Sequence, residues 1–71
     1  MQITKMIGIN IRKRRRLCKY AQEDFANEIG LSPYYYGMIE RGQANPTVNV
    51  LATIADGLGV PIVELVAETY Q

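Results

Sequence analysis

Seventy-one residues with 48% apolar side chains point to one small globular domain, and no apolar run approaches the roughly 18 residues of a membrane span. A single cysteine, Cys18, and the absence of histidine exclude an intrachain disulfide and argue against a structural zinc site. No metal or cofactor is expected, and the cysteine usage fits a reducing, cytoplasmic setting. The net charge of +1 conceals an asymmetry. Seven of the eight cations (Lys5, Arg12, Lys13, Arg14, Arg15, Arg16 and Lys19) precede residue 20 with no acid among them, while all seven acids lie from Glu23 to Glu68. One end of the domain can therefore face a polyanion while the other faces away.

The periodicity predicts five helices and almost no strand. The first runs from about Ile3 to Cys18, with Ile7, Ile11 and Cys18 near the helical period and Cys18 as a small buried hydrophobe. Its basic block follows the apolar residues, an order unlike that of a secretory leader. The second helix spans about Gln22 to Ile29, and Gly30 suits the left-handed position just past its end. Ser32 as N-cap and Pro33 at the first helical position open the third, which ends near Arg41 with Gly42 as its stop. Pro46 and Thr47 open the fourth, where Leu51, Ile54, Ala55 and Leu58 repeat at i, i+3, i+4, i+7 and Gly59 closes the element. Pro61 begins a last helix to about Thr69, with Ile62, Leu65 and Val66 on one face. All connections are short, as in a compact helical bundle forming one domain over residues 1–71.

Gln22 to Gly42 is the most informative stretch. Ala26, Gly30 and Ile39 sit where a helix-turn-helix needs a small residue, a left-handed corner and a core plug, and Phe25, Ile29, Leu31, Tyr36 and Ile39 share an inward face. The helix from Ser32 to Arg41 is thereby presented as one that fits a DNA major groove. Five adjacent cations, Arg12 to Arg16, repel one another, and a polyanion relieves that repulsion. At about 100° per residue they cannot all point one way, so two or three face any one partner. No nucleophile–base pairing or phosphate-cradling loop suggests an enzyme.

Arg12 and Arg15, the "QEDFA" of the second helix, "IGLS" at the turn, "IERG", Pro46 and "IADGLGV" together resemble the lambda-repressor and Cro-like regulators, the XRE family. In size the chain is most similar to single-domain controller proteins of restriction-modification systems and to small phage Cro-type repressors. The resemblance covers about Ile7 to Val66 and implies an all-α, lambda-repressor-like five-helix domain that regulates transcription in a bacterium, phage or mobile element. It implies binding of double-stranded DNA at an inverted repeat, as a homodimer, through the third helix.

Carried onto this chain, the family pattern implies a phosphate contact from Gln22 at a helix start, and an ion pair between Arg15 and Glu40 that locks the third helix to the scaffold. It also implies contacts from Tyr35 and from Asn45 before the fourth helix. Arg12 and Arg16 are candidate phosphate contacts. Ser32, Pro33, Tyr34, Gly37 and Met38 occupy the DNA-facing side of the third helix, where Tyr34 can offer its phenol and Met38 can touch a thymine methyl. The chain departs from the pattern at Ala21, where Ser or Thr is usual, at Lys19, where glycine is usual, and at the groove positions, which normally carry Gln, Arg, Ser, Thr or Lys. Ile62, Val63, Val66 and Tyr70 give more apolar surface than one helix face needs, and are read as a dimer interface or as core plus a frayed terminus. A protein-interaction module or an antitoxin, using the tyrosine-rich third helix, is the alternative.

Overall fold

Five helices, α1 (Ile3–Leu17), α2 (Gln22–Glu28), α3 (Pro33–Glu40), α4 (Val48–Leu58) and α5 (Val63–Val66), follow one another in the computed structural model, which describes residues 2–68. No strand occurs among the described residues, and no helix there is long and apolar enough to cross a membrane. α1 is the central element, packing chiefly on α3 and α5, while α2 packs on α3.

Each helix contributes its apolar stripe to one core. Ile7 and Ile11 come from α1, Phe25 and Ala26 from α2, Tyr36 and Ile39 from α3, and Leu51, Ile54, Ala55 and Leu58 from α4. Phe25 and Tyr36 meet edge to face with ring centroids 5.5 Å apart, and the Tyr20 ring lies tilted against Phe25 at 5.3 Å. Ile29 and Leu31, read as inward-facing, are only partly buried, because the turn between α2 and α3 runs over the surface. A glycine in α1 permits a close helix contact: a Cβ on Gly8 would stand 2.4 Å from the Glu40 carbonyl oxygen and 2.6 Å from that of Ile39. The last turn of α3 can lie directly on α1 only because that atom is missing.

Two expectations from spacing are corrected. α5 is a four-residue helix, not one from Pro61 to about Thr69: Ala67 is already extended. The Asn10 side chain on α1 donates to the carbonyls of Leu65, at 3.0 Å, and Ala67, at 2.8 Å, so a tertiary bond takes up the groups on which further turns would build. Thr69 and Tyr70 lie outside the described residues. Cys18 is exposed, since it is the C-cap of α1, its N–H spent on the carbonyls of Arg14 and Arg15, where the chain has already left the core.

Candidate nucleic-acid interface

The corner between α2 and α3 is built locally. Gly30 adopts φ +79°, the Leu31 N–H reaches back to the Ala26 carbonyl at 3.0 Å, and Ser32 accepts the Tyr35 N–H on its Oγ at 3.0 Å, with Pro33 at the first helical position. Ser32 thus performs a capping task at the start of α3, and its hydroxyl proton stays available to an outside acceptor.

Below this corner, one carboxylate fixes the orientation of α3. The Arg15 guanidinium donates to both oxygens of Glu40, Nε to Oε2 at 2.7 Å and Nη2 to Oε1 at 3.0 Å. The Tyr36 hydroxyl donates to Oε2 and the Gln22 amide to Oε1, at 2.5 and 2.9 Å. Arg15 also donates from Nη1 to the Tyr20 carbonyl at 2.8 Å, so one side chain ties α1, the α1–α2 corner and the end of α3 together. Glu40 is 2% exposed and Arg15 7%, so the ions are desolvated and every lone pair matters. Burial alone pushes the Glu40 carboxyl up, but hydrogen bonds from Arg15, Tyr36 and Gln22 outweigh it and hold it below its ordinary value. The hydrogen bond to Glu40 raises Arg15 further, and burial, with the bond to Glu40, raises the Tyr36 phenol.

The outward side of α3 carries Tyr34, 77% exposed, and the half-buried Met38. Pro33 and Tyr35 flank them, both half-buried. Gly37, read as groove-facing, is buried: the Arg41 Nη1 and the Gln22 Oε1 would stand 3.1 and 3.3 Å from a Cβ at this position. Arg41, exposed, falls on the same outward stripe as Tyr34 and Met38. It was absent from the residues singled out by pattern, although its i+7 and i+3 spacing to those two was the available signal. The same is true of the Tyr36 hydroxyl, whose i, i+4 relation to Glu40 places it in the buried network while its ring serves the core.

Of the basic block, Arg14 and Arg15 are each bound to a carboxylate within the fold, Arg14 to Glu64 on α5 and Arg15 to Glu40. Arg16 and Lys13 are exposed and Arg12 half-buried. Asn45 is exposed in the segment between α3 and α4, just before Thr47, whose Oγ1 accepts the Val50 N–H at 3.1 Å and caps α4. Ile62, Val63 and Val66 are 36%, 58% and 37% exposed and lie at α5 and the residue before it, held on α1 by Asn10 and Arg14. They are a cluster separate from the outward stripe of α3.

The helix-turn-helix family HTH_3 matches residues 11–65. Over its full 71 residues the chain is 41% identical to an HTH-type transcriptional regulator, y4dJ, of Sinorhizobium fredii, covering 92% of that protein. It is 31% identical over 65 residues, 92% of this chain and 77% of the relative, to the control protein C.SmaI of Serratia marcescens. Among solved structures it superposes on the restriction-modification controller protein C.AhdI of Aeromonas hydrophila with a TM-score of 0.83 at 31% identity, over 87% of this chain and 94% of that one.

Proposed function

Because this chain belongs to the HTH_3 helix-turn-helix family of DNA-binding transcriptional regulators, we propose that it binds an inverted-repeat operator as a homodimer, with α3 in the major groove of each half-site. The observation that carries this reading is the clamp on Glu40. The Tyr20 carbonyl, the Gln22 amide and the Tyr36 hydroxyl converge on the buried Arg15–Glu40 pair, and what they hold in place is a short helix whose opposite side is open. A rigid element presented outward is what groove insertion requires.

In this reading Gln22 at the start of α2, Asn45 and the surface cations Arg12 and Arg16 contact phosphates, and Ser32, Pro33, Tyr34, Tyr35 and Met38 face the groove or its rim. Gly37 serves the same face as the floor beneath Gln22 and Arg41. Ile62, Val63 and Val66 supply the two-fold contact, self-complementary as a two-fold interface must be. The protein works in the cytoplasm and responds to its own concentration, since dimerisation and operator occupancy are the quantities that change.

The test is selection of bound duplexes from a random library, followed by titration of the best duplex at two salt concentrations and measurement of the protein's mass in solution. The expected outcome is a dimer that prefers a short inverted repeat, with half-sites about one helical turn apart. Its affinity should fall with salt at a slope near −0.9 per phosphate neutralised. Equal affinity for the best duplex and for random DNA overturns the reading.

A further inference from the structure

The outward stripe of α3 is poor in hydrogen-bonding chemistry: Met38 has no donor and Tyr34 a single hydroxyl. Arg41 completes this stripe. Tyr34, Met38 and Arg41 are spaced i, i+4, i+7 and fall within about 60° of one another around the helix, on the side away from the buried Tyr36 and Ile39. The Arg41 side chain does not run past the end of the helix. It folds back, so that Nη1 and Nη2 stand 3.1 and 3.6 Å from where a Cβ of residue 37 would be. The guanidinium therefore lies over the middle of α3, in the space that Gly37 leaves open, with the Gln22 Oε1 beside it. Its Nε donates to the Gln43 Oε1 at 3.0 Å. That bond sets the plane of the group, and among the described residues the Arg41 side chain makes this one hydrogen bond. The two Nη groups are left as a fork.

We propose that Arg41 is the specificity-determining residue of this surface, reading a guanine edge in the major groove through its two Nη groups. The proposal rests on the operator-binding reading above and deepens it. Guanine presents two adjacent acceptors, O6 and N7, in the major groove, and a planar fork with two free donors matches them bidentately. Tyr34 and Met38, on the same stripe, then cover the neighbouring apolar surface of a thymine methyl. The site read is a guanine flanked by thymine, and Gly37 is the residue that lets the reader lie close to the helix.

The experiment compares the wild type with Arg41→Ala and Arg41→Lys, by selection from a random duplex library and by salt titration on the selected duplex. Thermal melting of each variant is the check on folding, and Arg41 is exposed and outside the core. The expected result is a guanine selected at one position of each half-site by the wild type. Arg41→Ala should lose on the order of 10- to 100-fold affinity for that duplex, with little loss on a duplex changed at that base pair and an unaltered salt slope. Arg41→Lys should recover little of the preference, because an ammonium is a point donor without the fork. A uniform loss on all duplexes with the salt slope reduced by about one marks a phosphate contact instead and overturns the proposal, as does an unchanged preference. A wild type that does not discriminate between duplexes overturns the operator-binding reading itself, and with it this one.

Discussion

The two corners that flank α2 do the same geometric work with different means. Between α2 and α3 the left-handed position is Gly30, at φ +79°, and Ser32 caps the following helix. Between α1 and α2 the left-handed position is Lys19, at φ 66°, and Ala21 stands at the N-cap without a side-chain hydrogen bond. The second corner is specified by its own residues. The first is held from outside: Arg15 donates to the Tyr20 carbonyl while its other nitrogens grip Glu40, and Tyr20 packs its ring on Phe25. A corner can be fixed by local propensity or by a tertiary clamp, and this chain uses one of each. The locally specified corner sets where the outward helix begins, and the clamp on Glu40 fixes how its far end lies.

The largest way to break that difference is to remove the clamp. Glu40→Ala leaves the Arg15 guanidinium buried without its carboxylate, and loss of one partner of a buried pair costs about 3–5 kcal/mol. Amide exchange should rise first at Lys19 and Tyr20 and least at Leu31, whose corner does not depend on Arg15. Equal loosening of both corners sinks the assignment. Replacing both ions by apolar side chains, Arg15→Met with Glu40→Leu, should cost less than Glu40→Ala alone.

The same pair makes stability depend on acid. Glu40 is held below its ordinary value of 4.5, so its folded form binds the proton less readily than the unfolded chain does. Its stabilisation is complete above the ordinary value, and is lost as pH falls through the lowered one. Melting temperatures measured from pH 7 to pH 3 should fall more steeply for the wild type than for Glu40→Gln. Parallel curves for the two proteins overturn this.

Much of the scaffold was legible because its signals are local. Gly30, Ser32 with Pro33, and the Leu51, Ile54, Ala55, Leu58 repeat each fix an element within a few residues, and α3 and α4 stand where those signals put them. The ends of the chain were less legible, because long-range contacts set them. α5 stops where Asn10, 55 residues earlier in the chain, takes the Leu65 carbonyl, and Arg14 is withdrawn from the basic block by Glu64, 50 residues away. No spacing rule sees such a partner. Cys18 was misplaced for a related reason: periodicity carried the first helix one residue past the turn at which the chain leaves the core. On the candidate site, the pattern offered residue 37 as a reader by counting positions, without registering that a glycine's space is filled by its neighbours Gln22 and Arg41.

Capping gives a smaller, mirrored pair of effects. Ser32→Ala should cost about 1 kcal/mol and Ala21→Ser should gain a comparable amount, within the usual range of about 0.5–2 kcal/mol for an N-cap. Ala21 already has the extended backbone of a cap, φ −70° and ψ 153°, so a serine hydroxyl there needs no rearrangement to reach the first amides of α2. Urea midpoints on the two single variants and on their combination decide the matter. If the corners are independent, the double variant should return close to the wild type.

Lys19→Gly is the smallest and most diagnostic change. A left-handed conformation costs an L-residue roughly 1–2 kcal/mol, and glycine removes that strain. Glycine also adds freedom to the unfolded chain, which takes back about 0.5–1 kcal/mol. The two effects oppose, and strain relief is the larger, so a net gain of about 0.5–1 kcal/mol is expected in the urea midpoint. The gain should be the same when measured in the background of Glu40→Ala only if the corner keeps its shape without the clamp. If Arg15 is what forces Lys19 into the left-handed region, cutting the clamp lets the lysine relax, and the benefit of glycine should shrink. A gain undiminished in the Glu40→Ala background means that the backbone around residues 18–20 holds the corner by itself, and the division of labour between the two corners fails.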